Sequence, residues 1–198
     1  MRTFFIADTH FGHKNIIGYC NRPFTSVEEM DEEMIRRWNA VVSPGDRVYV
    51  VGDFVWTRVA DPMVYIDRLQ GHIVLIPGDH DNCSGIQGAH LSIAKNIHEV
   101  RENGISVICC HYPILRWRRS HYGSWHVYGH IHNGLVDQIG KSVCVCVEKW
   151  QYTPVSFDDL QKAMSQLPDN PNLIRRKDEA TPSSQQPHDR ARVYGEDE

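Results

Sequence analysis

The chain lacks the features that mark membrane and secreted proteins. No apolar run approaches the roughly 20 residues that a membrane-spanning helix needs, and the mean hydropathy is -0.45. The N-terminal run Met1–Ala7 is interrupted by Asp8 too early to be a signal peptide. The sequence therefore predicts a cytoplasmic protein without a membrane partner.

Cysteine pairs, repeats and positive charge are also scarce. The six cysteines include no C-x-x-C pair, which excludes zinc ribbons and thioredoxin-type redox sites. Cys144 and Cys146 alternate with valines, so we expect both to pack as small core residues. The formal charge of -4 excludes a basic surface over the whole molecule, and no repeat of solenoid period is present.

The composition is that of one globular domain followed by a polar tail. Of the 198 residues, 41% are hydrophobic, and a chain of this size buries roughly 70% of its surface on folding. A metal is therefore not needed to hold the core together. From Pro168 the composition shifts to polar and charged residues, which predicts a domain over 1–167 and a disordered tail over 168–198.

Short apolar runs alternate with helical patterns in the first half of the chain. A capping box at Thr25–Glu28 begins one helix, and a second is expected near 62–69. The strands are predicted at 3–7, 47–51, 72–76, 96–102, 104–110, 125–128 and 142–147, followed by a helix at 156–165. This order predicts an α/β fold whose first half is at least partly parallel.

Five of the apolar strands run directly into aspartate or histidine. In chain order these residues are Asp8 and His10, Asp53, Asp79, His111, and His130 with His132. Ligand sites in open α/β sheets gather at the carboxyl ends of strands. One such pair arises easily by chance, but five at strand ends favour a metal site over scattered surface residues.

The donor set restricts the ion. Aspartate and histidine without cysteine suit Mn, Fe, Zn, Ni or Co, and the carboxylates favour Mn. Seven candidate ligands exceed the three or four that one tetrahedral ion takes from a protein. We therefore predict two divalent ions that share a carboxylate.

These five blocks resemble the calcineurin-like metallophosphoesterases, whose signature runs D-x-H, GD, GNH(D/E), H and GHxH in this order. The resemblance spans Asp8 to His132, and the opening segment is similar to small bacterial and phage members. It implies a four-layer α/β/β/α sandwich of two mixed β-sheets flanked by helices. It also implies that one ion is held by Asp8, His10, Asp53 and His132, and the other by Asp53, Asp79, His111 and His130.

One position departs from the family pattern, which has asparagine where this chain has Asp79. A carboxylate adds negative charge and accepts hydrogen bonds only, whereas an amide is neutral and also donates. We expect Asp79 to weaken the binding of an anionic phosphate and to make a bridging water less acidic.

The resemblance implies a hydrolase, a phosphatase or phosphodiesterase that cleaves a phosphate mono- or diester by metal-activated hydroxide. We expect His80 to be the general acid or a clamp on the phosphate, with Asp81 orienting it. Candidate substrate-binding residues are His13, Asn15, Arg22 and Tyr112.

Alternatives remain open for the substrate and for the function. The segment 116–122 combines arginines with aromatics, which suits nucleotides or nucleic-acid ends, but a solvated loop with Trp117 packed on the sheet is favoured. A phosphoesterase-fold scaffold without catalysis is the alternative function, which Asp79 favours. A purely structural metal domain fits the seven ligands less well.

Overall fold

A computed structural model describes residues 1–56, 58, 61–83, 88–137 and 139–174. Five strands form the first sheet. In chain order they are β1 (Thr3–Ile6), β2 (Arg47–Val51), β3 (His72–Ile76), β4 (Leu91–Ile93) and β9 (Val155–Ser156). Their order in the sheet is β4-β3-β2-β1-β9, with β9 alone antiparallel to its neighbour.

Four strands form the second sheet. They are β5 (Ile97–Glu102), β6 (Ile105–Cys110), β7 (Trp125–Tyr128) and β8 (Ser142–Cys144), in spatial order β5-β6-β7-β8. β5 is antiparallel to β6, and the other pairs are parallel. The predicted α/β fold with two mixed sheets is therefore confirmed.

The two sheets pack face to face because alternate residues of each strand point to opposite sides. In β1, Phe5 lies in the core between the sheets with Val107 and Val127 of the second sheet. Phe4 and Ile6 point the other way, into a core made with the helices.

Three helices cover the outer face of the first sheet: α1 (Ile16–Tyr19), α2 (Val27–Val41) and α3 (Pro62–Ile66). The capping box of α2 lies one residue later than predicted. Ser26 is the cap and accepts from the Glu29 N–H at 3.2 Å, while the Glu29 carboxylate accepts from the Thr25 N–H at 2.7 Å. Both registers carry a glutamate three residues after a hydroxyl, so the sequence alone did not distinguish them.

The last helix, α4 (Phe157–Ser165), fills the edge between the sheets through Phe157, Leu160 and Met164. The outer face of the second sheet is covered differently. The Trp117 ring packs against that of His126 of β7, tilted and with centroids 5.4 Å apart, and the Ile114 N–H donates to His126 Nε2. In the part of the chain that is described, this fourth layer is the segment 113–124 with one 3-10 turn, rather than an α-helix.

The first residues of the predicted tail pack against the domain. Asn170 is only 3% exposed; its amide donates to the carbonyls of Ser120 and Ser124 and accepts from the Lys141 N–H. The predicted tail therefore starts later than Pro168, and its remainder, 175–198, lies outside the described residues. Among the described helices, none combines the length and apolar character needed to cross a membrane.

Candidate metal centre

The ends of parallel strands from both sheets meet at one edge of the sandwich. Ala7, which follows β1, donates its N–H to the Val145 carbonyl beyond β8, and the Asp8 N–H donates to the Gly52 carbonyl beyond β2. The Gly129 N–H beyond β7 donates to the His111 carbonyl beyond β6. Together with the bonds from the His80 N–H to Asp53 and from the His130 N–H to Asp8, these bonds bring the five ligand blocks into one place, although the blocks are far apart in sequence.

One group of ligand atoms comes from Asp8, His10 and His132, which lie within 4.8 Å of one another. His132 Nε2 is 3.7 Å from Asp8 Oδ1, and His10 Nε2 is 4.0 Å from the same oxygen. His10 Nε2 also lies 3.5 Å from Asp53 Oδ2. These separations suit donor atoms that surround a common ion.

A second group comes from Asp79, His111 and His130, again within 4.8 Å. His130 Nδ1 is 3.5 Å from Asp79 Oδ2, and His111 Nε2 is 3.5 Å from Asp53 Oδ2. Asp53 Oδ2 is therefore equally distant from one histidine of each group. All seven predicted ligands are brought together, with Asp53 between the two groups as the resemblance implies.

Buried donor atoms without partners support a fit to metal ions. Among the described residues, His10 Nε2 and His111 Nε2 are buried and have no hydrogen-bond partner. Leaving a buried polar atom unpaired costs about 1–3 kcal/mol. A cation bound at each nitrogen would remove that cost, so the residues present fit the two implied ions.

The charges of the site depend strongly on one another. Burial opposes the charged form of His111, but the neighbouring Asp53 carboxylate raises the pKa of this histidine to about 9. Burial would raise the pKa of Asp53, but His111 holds that pKa below its usual range. A ligand histidine must be neutral at the nitrogen that binds, so ion binding here would release protons.

Five of the seven predicted ligands have left-handed backbone conformations, which are uncommon for residues other than glycine. Their φ angles are 58° at Asp8, 50° at His10, 52° at Asp53, 72° at His130 and 46° at His132. Such residues cost of the order of 1–3 kcal/mol each and persist where the surrounding structure holds them. These backbone conformations therefore lower the stability of the loops while they orient the predicted ligands.

The glycines of the motifs leave room for the carboxylates. A Cβ at Gly129 would collide with Asp8 Oδ2 and lie 2.8 Å from Ala7 Cβ. A Cβ at Gly78 would collide with Asp53 Oδ1 and lie 2.7 Å from the Asp53 backbone nitrogen. Close approach of two backbones, rather than flexibility, explains why these two positions are glycine.

Arg22 does not face the substrate as predicted, because its guanidinium is buried and fully used within the protein. It is 4% exposed and donates to the carbonyls of Asp8 and Thr9 at 2.7 and 2.9 Å. It also forms an ion pair with Glu148 at 2.7 Å. Arg22 therefore supports the first ligand loop from behind.

Glu148 is a functional residue that the sequence reasoning missed. Its Oε1 lies 2.9 Å from His132 Nδ1, which directs Nε2 of that ring toward Asp8. Burial would raise the pKa of Glu148, but His132 and Arg22 lower it to about 2. The signal was present, because Glu148 follows the apolar run 142–147 just as the ligands follow theirs.

Asp81 joins two ligand loops through their backbones. Its carboxylate accepts from the N–H groups of Gly78, Asp53 and Phe54 at 2.8–2.9 Å. Asp31, also missed, accepts from the Gly12 N–H and from the Tyr65 hydroxyl and so holds the first loop. The hydrogen bonds of Asp81 therefore fix the backbone at Asp53. The sequence predicted a different role for Asp81, the orientation of the His80 ring.

His80 lies beside the ligands and is partly exposed. Its Nε2 is 3.9 Å from Asp53 Oδ2, and its ring centroid is 5.4 Å from that of His10. The Trp56 ring contacts that of His80 at 4.9 Å between centroids and stacks in parallel on His13 at 4.0 Å. His13 is therefore near the site, but it forms a wall behind His80.

The two remaining candidates for substrate binding, Tyr112 and Asn15, lie in different places. The Tyr112 hydroxyl donates to Asp79 Oδ1, and the ring, 42% exposed, contacts those of His111 and His130. Tyr112 is thus at the rim of the site. Asn15 is exposed at the start of α1 and lines a separate cavity of about 610 Å³ that includes none of the seven ligands.

In the segment 116–122, Trp117 packs on the sheet, as expected for the favoured alternative of a solvated loop. Trp117 is buried and its Nε1–H donates to the Ser124 carbonyl at 3.0 Å. Arg118 is exposed and pairs with Glu99 at 3.0 Å. Trp117 is therefore not available for stacking on a base.

The chain is similar to proteins from several organisms. MJ1445 of Methanocaldococcus jannaschii, an uncharacterized protein, is 34% identical over 169 residues, 81% of this chain and 90% of that protein. The crystal structure of AQ665 from Aquifex aeolicus, of unknown function, aligns with TM-score 0.64 and 23% identity over 82% of this chain and 98% of that one.

YfcE, a phosphoesterase from E. coli, aligns with TM-score 0.40 and 19% identity over 74% of this chain and 78% of its own. That likeness is too distant to support an argument. No protein-family model matches the chain. The fold is thus shared with AQ665, and the sequence similarity to MJ1445 extends over most of both chains.

The support of His132 by Glu148 predicts a loss of metal affinity in Glu148→Ala. Residues that orient a ligand typically contribute 10–100-fold to metal affinity, and we expect a weakening of about that size for Mn²⁺ in competition with a chromophoric chelator. Glu148→Gln, which keeps an acceptor for His132 Nδ1, should lose less. Equal affinity of Glu148→Ala and the remote control Glu33→Ala would contradict this role.

The close approach at Gly129 predicts that Gly129→Ala displaces Asp8. We expect loss of Mn²⁺ binding in the same competition assay and a lower midpoint of urea unfolding, because either Asp8 or the backbone of Ala7 must move. Gly45→Ala is the matched control, since a Cβ there meets nothing within 4 Å. If the two variants bind Mn²⁺ alike, the steric explanation is wrong.

Proposed function

We propose that the chain, which belongs to the same protein family as MJ1445, is a calcineurin-like metallophosphoesterase that hydrolyses phosphate esters with two divalent ions. The proposal depends most on one observation. Asp53 Oδ2 lies 3.5 Å from His10 Nε2 and 3.5 Å from His111 Nε2, at the junction of two ligand groups. A shared carboxylate of this kind is what a two-ion site requires.

The proposed ligands divide as the superfamily pattern suggests. Asp8, His10, Asp53 and His132 would hold one ion, and Asp53, Asp79, His111 and His130 the other. Two such ions supply positive charge for the phosphate oxygens and an acidic water that ionises to hydroxide near neutral pH. Carboxylates and imidazoles suit Mn²⁺, with Fe, Zn, Ni and Co as alternatives.

His80 is the proposed general acid. Its side chain is partly exposed, so a substrate can reach it, while its backbone N–H group is fixed by Asp53 Oδ1 at 2.9 Å. The wall of Trp56 and His13 limits the positions of the ring. From there the imidazole would give a proton to the leaving oxygen of the ester.

Asp79 and Tyr112 form the proposed rim toward the substrate. The hydroxyl of Tyr112 donates to the Asp79 carboxylate, which is about half exposed. This carboxylate presents a negative charge where a phosphate would approach. Two charges 4 Å apart interact by about 4 kcal/mol at an effective dielectric of 20, and solvent at this exposed position reduces that value. Esters that carry less negative charge are therefore favoured.

Asp79→Asn should consequently raise the turnover of monoesters more than that of diesters. We expect kcat/KM for p-nitrophenyl phosphate, a dianion, to rise about tenfold more than that for bis-p-nitrophenyl phosphate, a monoanion, as about 1.4 kcal/mol of relieved repulsion would give. Asp158→Asn, which removes a remote surface charge, should change neither. No rise in turnover with any metal would contradict the role given to Asp79.

The same residue favours a second candidate, a phosphoesterase-fold scaffold that binds a phosphorylated ligand without hydrolysis. Activity after metal exchange separates the two. Protein stripped of metal and refilled with Mn, Zn, Fe or Ni should hydrolyse one of the two nitrophenyl esters with at least one ion. Asp53→Ala and His80→Ala should abolish that activity, the first with loss of metal and the second without it.

No hydrolysis with any ion and both substrates would reject catalysis in favour of the scaffold. Nucleotides and nucleic-acid ends are the natural esters to test next.

A further inference from the structure

Two thiols lie directly behind the ligand Asp8. The Cys146 thiol is fully buried and donates to Asp8 Oδ2 at 3.0 Å. The Cys144 sulfur lies 3.0 Å from that of Cys146. The intervening Val145 points into the core between the sheets. We expected both cysteines to be small core residues, and this expectation did not include the contact between the two sulfurs or the hydrogen bond to Asp8.

The outer thiol can be reached from solvent. Cys144 is half-buried and lines a cavity of about 330 Å³ together with Lys149 and Trp150. The cavity admits a small molecule such as hydrogen peroxide, whereas the buried Cys146 is reached through Cys144. A partly accessible thiol thus lies next to a second thiol that can displace oxygen from its sulfenic acid.

We propose that Cys144 and Cys146 form a reversible disulfide that weakens the metal centre at Asp8. A peroxide is the oxidant. The Cys144 thiolate attacks one peroxide oxygen, the O–O bond breaks, and a sulfenic acid and hydroxide form. The Cys146 sulfur then attacks the Cys144 sulfur, the S–O bond breaks and water leaves, so two thiols and one peroxide give one disulfide and two waters.

The disulfide would act on Asp8 in two ways. Cys146 would lose the S–H that donates to Asp8 Oδ2. The two sulfurs would also have to approach from 3.0 Å to about 2.05 Å, which moves the backbone of Cys146. That backbone pairs with Ala7, and the Val147 N–H donates to the Ala7 carbonyl at 3.1 Å. The movement therefore reaches the residue that precedes Asp8.

The chemical half of the proposal is tested by mass spectrometry of the full chain. Trypsin cleaves after Lys141 and Lys149 and releases a peptide, Ser142–Lys149, that contains both cysteines and no other. After treatment with hydrogen peroxide and then iodoacetamide, this peptide should be lighter than the reduced one by two hydrogens and should carry no alkyl group. Dithiothreitol should reverse the change.

The functional half, which rests on the proposed metal site, is tested by Mn²⁺ affinity in the same samples. Oxidised protein should bind Mn²⁺ roughly 10–100-fold more weakly, as the loss of a supporting contact to a ligand typically gives, and dithiothreitol should restore binding. Cys144→Ser should bind Mn²⁺ normally and resist the effect, whereas the matched control Cys83→Ser should behave as the wild type. Circular dichroism verifies that the variants fold.

Two results would overturn the proposal. The first is a peptide that stays fully alkylated, or carries only sulfinic or sulfonic acid, over a range of peroxide doses. The second is a complete disulfide with unchanged Mn²⁺ affinity. If reduced protein binds no Mn²⁺ at all, the proposed function fails instead, and the mass of the peptide still decides whether the thiols pair.

Discussion

The structure of the centre depends on the position of the Asp53 carboxylate between two sets of histidines. One oxygen faces His10 and His111, and the other accepts the His80 backbone N–H, so the side chain has one orientation. Its own backbone is held by Asp81 and has a left-handed φ of 52°. Because both ligand groups meet at this side chain, a shift of Asp53 would separate them.

Holding so many acidic and basic groups together costs stability, and the surrounding network offsets that cost. Burial raises the pKa of Asp8 to about 6, which means that its charged form is disfavoured without a cation. Buried partners hold both sides of the site: Arg22 bonds the backbone of the first loop, and Glu148 bonds the imidazole of His132. The second sheet is therefore part of the site, since β6, β7 and β8 lead to His111, His130 and Glu148.

Local sequence pattern was sufficient to predict seven of the nine described strands and the residues at their ends, but not the short strands β4 and β9. Apolar runs ending in aspartate or histidine indicated the seven residues that lie together, and Glu148 could have been found by the same rule. The burial of Arg22 could not be predicted from the sequence, because an arginine in a turn gives no sign that it will be buried. Likewise, the contact of Cys146 with Asp8 depends on the pairing of Ala7 with Cys146, which joins distant parts of the chain. The fourth layer is not the expected α-helix. The helix was implied by the resemblance alone and not by the residues of segment 113–124.

In the proposed centre, seven side chains from five distant blocks hold two ions around one carboxylate. Anomalous X-ray diffraction from crystals grown with Mn²⁺ tests it most directly. The structure predicts two peaks, one among Asp8, His10 and His132 and one among Asp79, His111 and His130, both within bonding distance of Asp53. A single peak, or none at these residues in fully loaded crystals, would contradict the claim.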